Sequence, residues 1–238
     1  VKEPLEIFYE KYGANPGLVK ELVCGSRYFA VMFNDGRLGV CATLDSDYNV
    51  TINALREPDF GNTSHRILLN AYFNALINTS SRKDFQNGDV FQAVDFRKYS
   101  NIVMIGLFRP LLKKFVAAGI DISVFDKTDK EEPVLPDELQ TEYIGKADVL
   151  IVTATSIFNG TFNELVNRTN SDCDVLVLGP SAVMSPLMFE YKNVKAVFGS
   201  VFNVFDDEVL SIIRNGFGTR VFACRAEKQF LLKSECLL

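Results

Sequence analysis

Residues 148–168 read DVLIVTATSIFNGTFNELVNR. The opening run is apolar, short and without polar alternation, the pattern of a strand buried on both faces of a parallel sheet. ELVNR, residues 164–168, reads as a helix, so the stretch is a strand-to-helix crossing. The same grammar continues outward on both sides: NIVMIG (101–106), PLLKKFVAAG (110–119), IDISVFD (120–126), DVLVLG (174–179), SPLMFEY (185–191), VKAVFG (194–199), DDEVLSIIRNG (206–216) and finally TRVFACR (219–225). Buried strands alternating with amphipathic helices predict an α/β, doubly wound, mostly parallel sheet with helices on both faces. Ligands of such sheets bind outside the carboxyl ends of the strands.

Residues 1–95 have a different pattern and predict a smaller α+β domain, with the boundary to the second domain (96–238) close to residue 95. A helix is expected over Pro4–Tyr12. RYFAVMF (27–33) and RLGVCATL (37–44) flank an Asp-Gly turn and predict a hairpin. With a two-residue turn, Asn34 pairs with Arg37, Cys41 faces Ala30, and Cys24 lies too far down the ladder for a disulfide. TSHRILLNAYFNALINT (63–79) places Ile67, Leu68, Ala71, Tyr72, Ala75 and Leu76 at helical spacing, with Thr63 or Ser64 as the cap.

The 238 residues carry 25 basic and 30 acidic side chains, net charge −5, with no Lys/Arg block to track a phosphate backbone, so no nucleic-acid partner is expected. No apolar run reaches the roughly 18 residues of a membrane span, and VKEPLEIFYEKYG lacks the apolar stretch of a signal peptide, so a cytoplasmic protein without a membrane partner is expected. Five cysteines without C-x-x-C spacing (Cys24, Cys41, Cys173, Cys224, Cys236) suit dispersed reduced thiols. Asp45-Ser46-Asp47-Tyr48-Asn49 imitates the start of a calcium loop, but Val50 stands where glycine is needed and Arg56 where the bidentate glutamate belongs. His65 is the single histidine, which excludes multi-histidine metal sites within one chain; its place at a helix start suggests an exposed or capping role.

The crossing after DVLIV is longer than a turn requires and carries Thr153, Thr155, Ser156 and Asn159. Thr161 with Glu164 fits a capping box, and Ser185 before Pro186 fits a cap with proline at the first helical position. Thr153, Thr155, Ser156, Asn159 and Ser181 have no such explanation and are candidates for contacting a ligand. Two helix amino ends at the same sheet edge would favour an anionic or strongly polar one. Asp206, Asp207 and Glu208 neutralise the helix start that follows VKAVFG. Asp126 lies twenty residues after Gly106, the distance at which nucleotide-binding folds hold a ribose hydroxyl, but G-L-F-R-P lacks the glycines of G-x-G-x-x-G.

TATSIFNGTF (153–162), GPSAVMSPLMF (179–189) followed by VFGS (197–200), and IGLFRPLL (105–112) occur in the order found in the family named "putative heavy-metal chelation domain", which the second half resembles. Through DGRLGVCATL (35–44) and NAYFNAL (70–76), the first half resembles the domain that in this family looks like the enolase amino-terminal domain, a likeness of fold without enolase chemistry. The resemblance implies a Rossmann-like second domain and heavy-metal handling, with a heavy-metal ion or metal complex as the bound species. One histidine and dispersed cysteines poorly suit a protein-only cage, whereas a metal already held by an organic or oxyanion ligand suits hydroxyl and amide groups.

The leading expectation is a small-molecule or metal-complex binding protein. Its site comprises Thr153, Thr155, Asn159, Gly179, Pro180, Ser181 and Ser185, with Gly106 and Phe108 as the neighbouring wall and the first domain as roof. The alternative is an enzyme with a nucleotide-like or pterin-like cofactor anchored by Asp126. The plain alternative is that these polar groups cap turns and the protein acts through a partner surface. Two-fold assembly into a homodimer is the default.

Overall fold

The computed structural model describes residues 2–44, 49–129, 131–191 and 193–234. The calcium-like stretch at 45–49 falls almost wholly outside these residues, and Cys236 does so entirely. In the first half, α1 (Pro4–Tyr12) starts with proline at its first turn, and the Glu6 carboxylate accepts from the Glu3 N–H at 2.9 Å. Strands β1 (Val19–Cys24), β2 (Tyr28–Phe33) and β3 (Leu38–Ala42) form an antiparallel sheet in that order. Helix α2 (Thr63–Ile77) follows and packs on β2 and β3. Its cap is Asn62, whose Oδ1 accepts from the N–H groups of Ser64 and His65, in place of the expected Thr63 or Ser64.

The hairpin is present with a register one residue from the expected one. Phe29 faces Cys41 and Ala30 faces Val40, because the loop has three residues, 34–36. A two-residue type I′ turn needs positive φ at both central positions. Only Gly36 has it, at 86°, so a type I turn closed by the Gly36 N–H on Phe33 O (2.9 Å) is followed by a glycine bulge. Cys24 and Cys41 then sit in one row with Phe29 between them, two strands or about 9–10 Å apart, and both thiols are free.

The second sheet has seven strands: β4 (Gln86–Asn87), β5 (Ile102–Ile105), β6 (Ser123–Phe125), β7 (Val149–Thr153), β8 (Asp174–Leu178), β9 (Val194–Phe202) and β10 (Ala226–Leu232). Its order is β4-β10-β9-β8-β7-β5-β6. Strands β5 to β9 are parallel, while β10 is antiparallel to β9, and β4 to β10. Numbered 1 to 5 along the chain, the parallel strands lie in the order 2-1-3-4-5 of flavodoxin-like sheets, and the direction reverses between β5 and β7. The helices between are α3 (Val90–Ala93), α4 (Arg109–Ala118), α5 (Gln140–Lys146), α6 (Thr155–Phe158), α7 (Phe162–Asn167), α8 (Asp207–Arg214) and α9 (Thr219–Phe222).

Successive strand residues go to opposite cores. Val103, Ile105, Leu150, Val152, Val175 and Val177 join a cluster with α1, α2, α6 and α7. Ile102, Met104, Val149, Ile151 and Leu176 join one with α3 and α4. Both faces are thus covered, which is why these strands read as uninterrupted apolar runs. The three-stranded sheet is likewise covered twice, by α2 on the face of Phe29, Val31 and Phe33, and by α8 and α9 on the face of Tyr28, Ala30 and Met32.

Two expected elements differ. TRVFACR forms α9 and a 3-10 turn, and the last strand comes after it, where Glu227 and Lys228 near a sheet margin break the apolar run that marks the inner strands. SPLMFEY is a 3-10 turn, Pro186–Glu190, in place of an α-helix, though Ser185 caps it as expected, its Oγ accepting from the Leu187 N–H. No helix among the described residues is long and apolar enough to cross a membrane.

Candidate functional site

The strand-order reversal places the exits of β5 and β7 side by side. Gly106, the first residue after β5, has φ 93°, and a Cβ on it would lie 2.8 Å from Thr153 Cβ. Glycine is required there by both backbone and space. Phe108 leans across to the exit of β8: its ring carbons lie 3.9 Å from where a Cβ on Gly179 would stand, and Ala154 Cβ lies at 3.8 Å. Three crossings, after β5, β7 and β8, therefore meet at one edge. Their part-exposed members are Gly106, Phe108, Thr153, Thr155, Asn159, Gly179 and Pro180.

Thr153 Oγ1 and Thr155 Oγ1 share a hydrogen bond of 3.1 Å, and both residues are part-exposed. Ser156 is closed, its hydroxyl donating to Thr153 O at 2.7 Å. Asn159 Oδ1 accepts from the Thr161 N–H (3.1 Å) and the Thr161 hydroxyl (2.7 Å). The expected Thr161–Glu164 capping box is therefore absent: the hydroxyl turns to Asn159, and Glu164 pairs with Arg168 one helical turn on. Helix α6 spans four residues, so the dipole attraction expected at this edge has little helix behind it.

Ser181 and Ser185 are 2% and 0% exposed, and their hydroxyls serve the contact with the first half. Ser181 Oγ accepts from the Ala42 N–H at 2.8 Å, and Ser185 Oγ shares a hydrogen bond with Tyr12 OH at 2.8 Å. Opposite them stands a set of residues that the sequence reading missed. Arg66, Asn70, Asn74 and Asn78 follow one another at intervals of four along α2 and are all buried. Asn70 donates to Ser181 O, Asn74 to Pro180 O and Ala182 O, and Asn78 to Ala182 O and Ser200 O. Asn78 Oδ1 accepts from the Met184 N–H at 2.9 Å. Arg66 donates to Ile157 O (2.7 Å) and Phe158 O (2.6 Å) at the end of α6. The signal was legible in principle: a polar stripe with period four on a helix otherwise too apolar to be exposed must meet polar groups inside the protein.

Asp126 joins the first crossing to the loop after β6. Its Oδ2 accepts from the Leu107 N–H (2.7 Å), and its Oδ1 from the Thr128 N–H, the Thr128 hydroxyl and the Asp129 N–H. Burial pushes its pKa up, but the main-chain donors of Asp129, Leu107 and Thr128 outweigh burial and hold it below the ordinary carboxylate range. A carboxyl depressed in the folded state stabilises the fold above its unfolded pKa and loses that contribution as pH falls through the folded value. Asp126→Asn is accordingly expected to cost about 1–3 kcal/mol at neutral pH, with a smaller cost in acid. Urea unfolding at pH 7 and pH 3 measures both, and an equal loss at the two pH values would contradict the assignment.

Among the described residues, thiol and imidazole donors do not converge. Burial raises the Cys41 thiol pKa well above its usual value and pushes that of Cys173 up to about 12, while Cys24 and Cys224 are exposed. His65 Nδ1 accepts from the Asp59 N–H at 2.9 Å. No group of three or more His, Cys, Asp or Glu side chains able to hold a metal occurs among the described residues. The donors among the described residues therefore do not fit a heavy-metal ion bound by protein side chains alone. Two surface clefts lie away from the carboxyl edge, one of about 400 Å³ at the amino ends of β5 and β6 beside Asn101, Asp121 and Tyr143, the other of about 390 Å³ beside Phe189 and Leu231.

Fold and edge together define an α/β protein in which a doubly wound sheet carries a smaller α+β unit against its carboxyl side. The chain belongs to the DUF364 family, described as "Putative heavy-metal chelation", whose model matches residues 89–232. A solved protein of unknown function of that family from Pyrococcus horikoshii is similar at a TM-score of 0.77 and 19% identity, over 90% of this chain and 93% of that one. Another, from Desulfitobacterium hafniense, is similar at 0.75 and 16%, over 96% and 98%. At these identities the likeness is one of fold. No curated protein matches the sequence.

Proposed function

We propose that the chain binds a small polar ligand, or a metal already complexed by one, where the exits of β5, β7 and β8 meet. The observation that carries this reading is the Gly106–Thr153 approach at the point of strand-order reversal, with the hydroxyl-paired Thr153 and Thr155 part-exposed and the Phe108 ring set against Gly179 at the next crossing. Thr153 and Thr155 supply adaptable donors and acceptors, Phe108 supplies an apolar wall, and Gly179 lets the ligand approach main chain. Ser181 and Ser185 act behind this surface, fixing the 179–185 loop to the first half. A metal ion enters with its own organic or oxyanion ligand, in keeping with the scattered thiols. The strand order also favours a second reading, an enzyme with a nucleotide-like or pterin-like cofactor, because sheets of this order hold such groups at the reversal.

Thermal unfolding with tungstate, divalent zinc, a nucleotide and a pterin as separate probes tests the reading. A probe at a hundred times its Kd adds about 2.7 kcal/mol, a rise in Tm of roughly 5–11 °C for a chain of this size. Thr155→Val, which keeps shape and removes the hydroxyl, is expected to abolish most of that rise, and zinc alone is expected to produce none. If no probe raises Tm, or Thr155→Val preserves the full rise, the edge is not a binding site. Asp126→Asn separates the readings: unchanged nucleotide affinity removes the anchor of the enzyme alternative.

A further inference from the structure

The chain has three Asn-Gly pairs, at 87–88, 159–160 and 215–216. The backbone N–H that would attack the asparagine side chain is engaged at two of them: Gly88 N–H donates to Lys228 O (3.0 Å) and Gly216 N–H to Ile213 O (2.9 Å). Gly160 is exposed, and its N–H makes no hydrogen bond among the described residues. The electrophile differs in degree: Asn87 Oδ1 accepts one side-chain hydrogen bond, from Gln229 Nε2 at 3.0 Å. Asn159 Oδ1, the oxygen that gains negative charge when its amide carbon is attacked, already accepts from the Thr161 N–H and hydroxyl. At Asn215 the amide nitrogen is tied to Ser211 O at 2.8 Å. A Cβ on Gly160 would stand 3.6 Å from Arg66 Nη2, so a buried guanidinium, itself 3.6 Å from the Glu3 carboxylate, borders the Gly160 turn.

We propose that Asn159-Gly160 is a self-modification site, where the fold promotes deamidation that it suppresses at the other two pairs. The Gly160 nitrogen gives its proton to hydroxide and bonds to the Asn159 amide carbon. Two donors stabilise the resulting oxyanion, as in an acyl-transfer site, and the cation favours both the deprotonated nitrogen and the oxyanion. The bond to the side-chain nitrogen breaks, that nitrogen leaves as ammonia after taking a proton, and a succinimide remains. Water opens it to aspartate or isoaspartate, so the net change is one water consumed, one ammonia released and no redox partner. The new carboxylate would sit at the rim of the crevice and oppose an anionic ligand. That consequence rests on the binding reading above, whereas the chemistry does not.

The test is peptide mass spectrometry on the purified chain held at pH 8 and 37 °C, native and in urea. In urea the three pairs should gain one mass unit at similar rates. In the native protein the 159–160 peptide should convert at least as fast as in urea, and the other two at least about tenfold more slowly. Thr161→Val, with its fold checked by circular dichroism, should slow native conversion at 159 by about three- to tenfold. Native protection of 159–160 to the same degree as the other pairs overturns the proposal. Faster conversion in Thr161→Val does so as well, since a merely structural threonine would, when removed, loosen the turn. Either result leaves the ligand measurements on Thr155 untouched.

Discussion

Asn78→Ala is expected to lower unfolding free energy by about 3 kcal/mol, because the change leaves the Met184 N–H buried without its acceptor, at roughly 1–3 kcal/mol, and removes a donor from Ala182 O, which keeps Asn74, and from Ser200 O. Asn78 is 3% exposed and makes three hydrogen bonds from the end of α2 into the second half, to Ala182 O, to Ser200 O and from the Met184 N–H. For a chain of this length the expected fall in Tm is about 6–12 °C. Asn78→Asp should be no better: it keeps an acceptor for Met184 but loses both donated bonds and brings a charge into a buried position. Urea unfolding gives the energy directly. A loss under about 1 kcal/mol would mean that water or a small shift replaces the amide, and the α2 asparagines would then not be what holds the 179–185 loop.

Gly39→Ala should be strongly destabilising. Gly39 lies on β3 against α2, and a Cβ there would stand 2.1 Å from Ala75 N and 2.2 Å from Ala71 O. Both atoms are main chain, so no side chain can swing away, and the helix itself must lift from the sheet. Because the same helix carries Asn70, Asn74 and Asn78, lifting it strains the grip on the second half as well. The expected cost exceeds about 4 kcal/mol, seen as a Tm fall of at least about 10 °C or as insoluble protein. Gly145→Ala is the matching control: within α5 its nearest neighbour would be Arg168 O at 4.0 Å, and a gain of about 0.5–1 kcal/mol is expected from helix propensity. If Gly39→Ala melts like the parent protein, the close contact of β3 and α2 is wrong.

The parallel strands were legible because burial on both faces leaves a mark that needs no partner to be read. DVLIV and DVLVL are apolar at every interior position, and both cores use them alternately. The hairpin was legible as a hairpin, but its register was not: the choice between a two- and a three-residue loop turns on the φ of Asp35, and Phe205 packed over Gly36 bears on that loop from a distant part of the chain. The final strand escaped notice because Glu227 and Lys228 interrupt its apolar pattern at the sheet margin.

At the candidate site, the crossings were legible as polar and overlong, and the structure brings Gly106, Phe108, Thr153, Thr155 and Gly179 to one edge. Which hydroxyls stay accessible was not legible. Ser181 and Thr155 look alike as residues in a loop, yet Ser181 is buried with its hydroxyl on Ala42 of the first half, and Thr155 is part-exposed.

By itself the sequence determined the inner strands and most of the helices, that the larger sheet is mostly parallel and doubly covered, and where the strand-to-helix crossings fall, since periodicity and local turn chemistry act over a few residues. Only the tertiary structure decided which polar side chains bind carbonyls across the two halves and which residues stay part-exposed at the carboxyl edge. That outcome depends on contacts between residues more than a hundred positions apart, such as Asn74 with Pro180 and Ser181 with Ala42, whose free energy appears only once the two halves meet and exclude water.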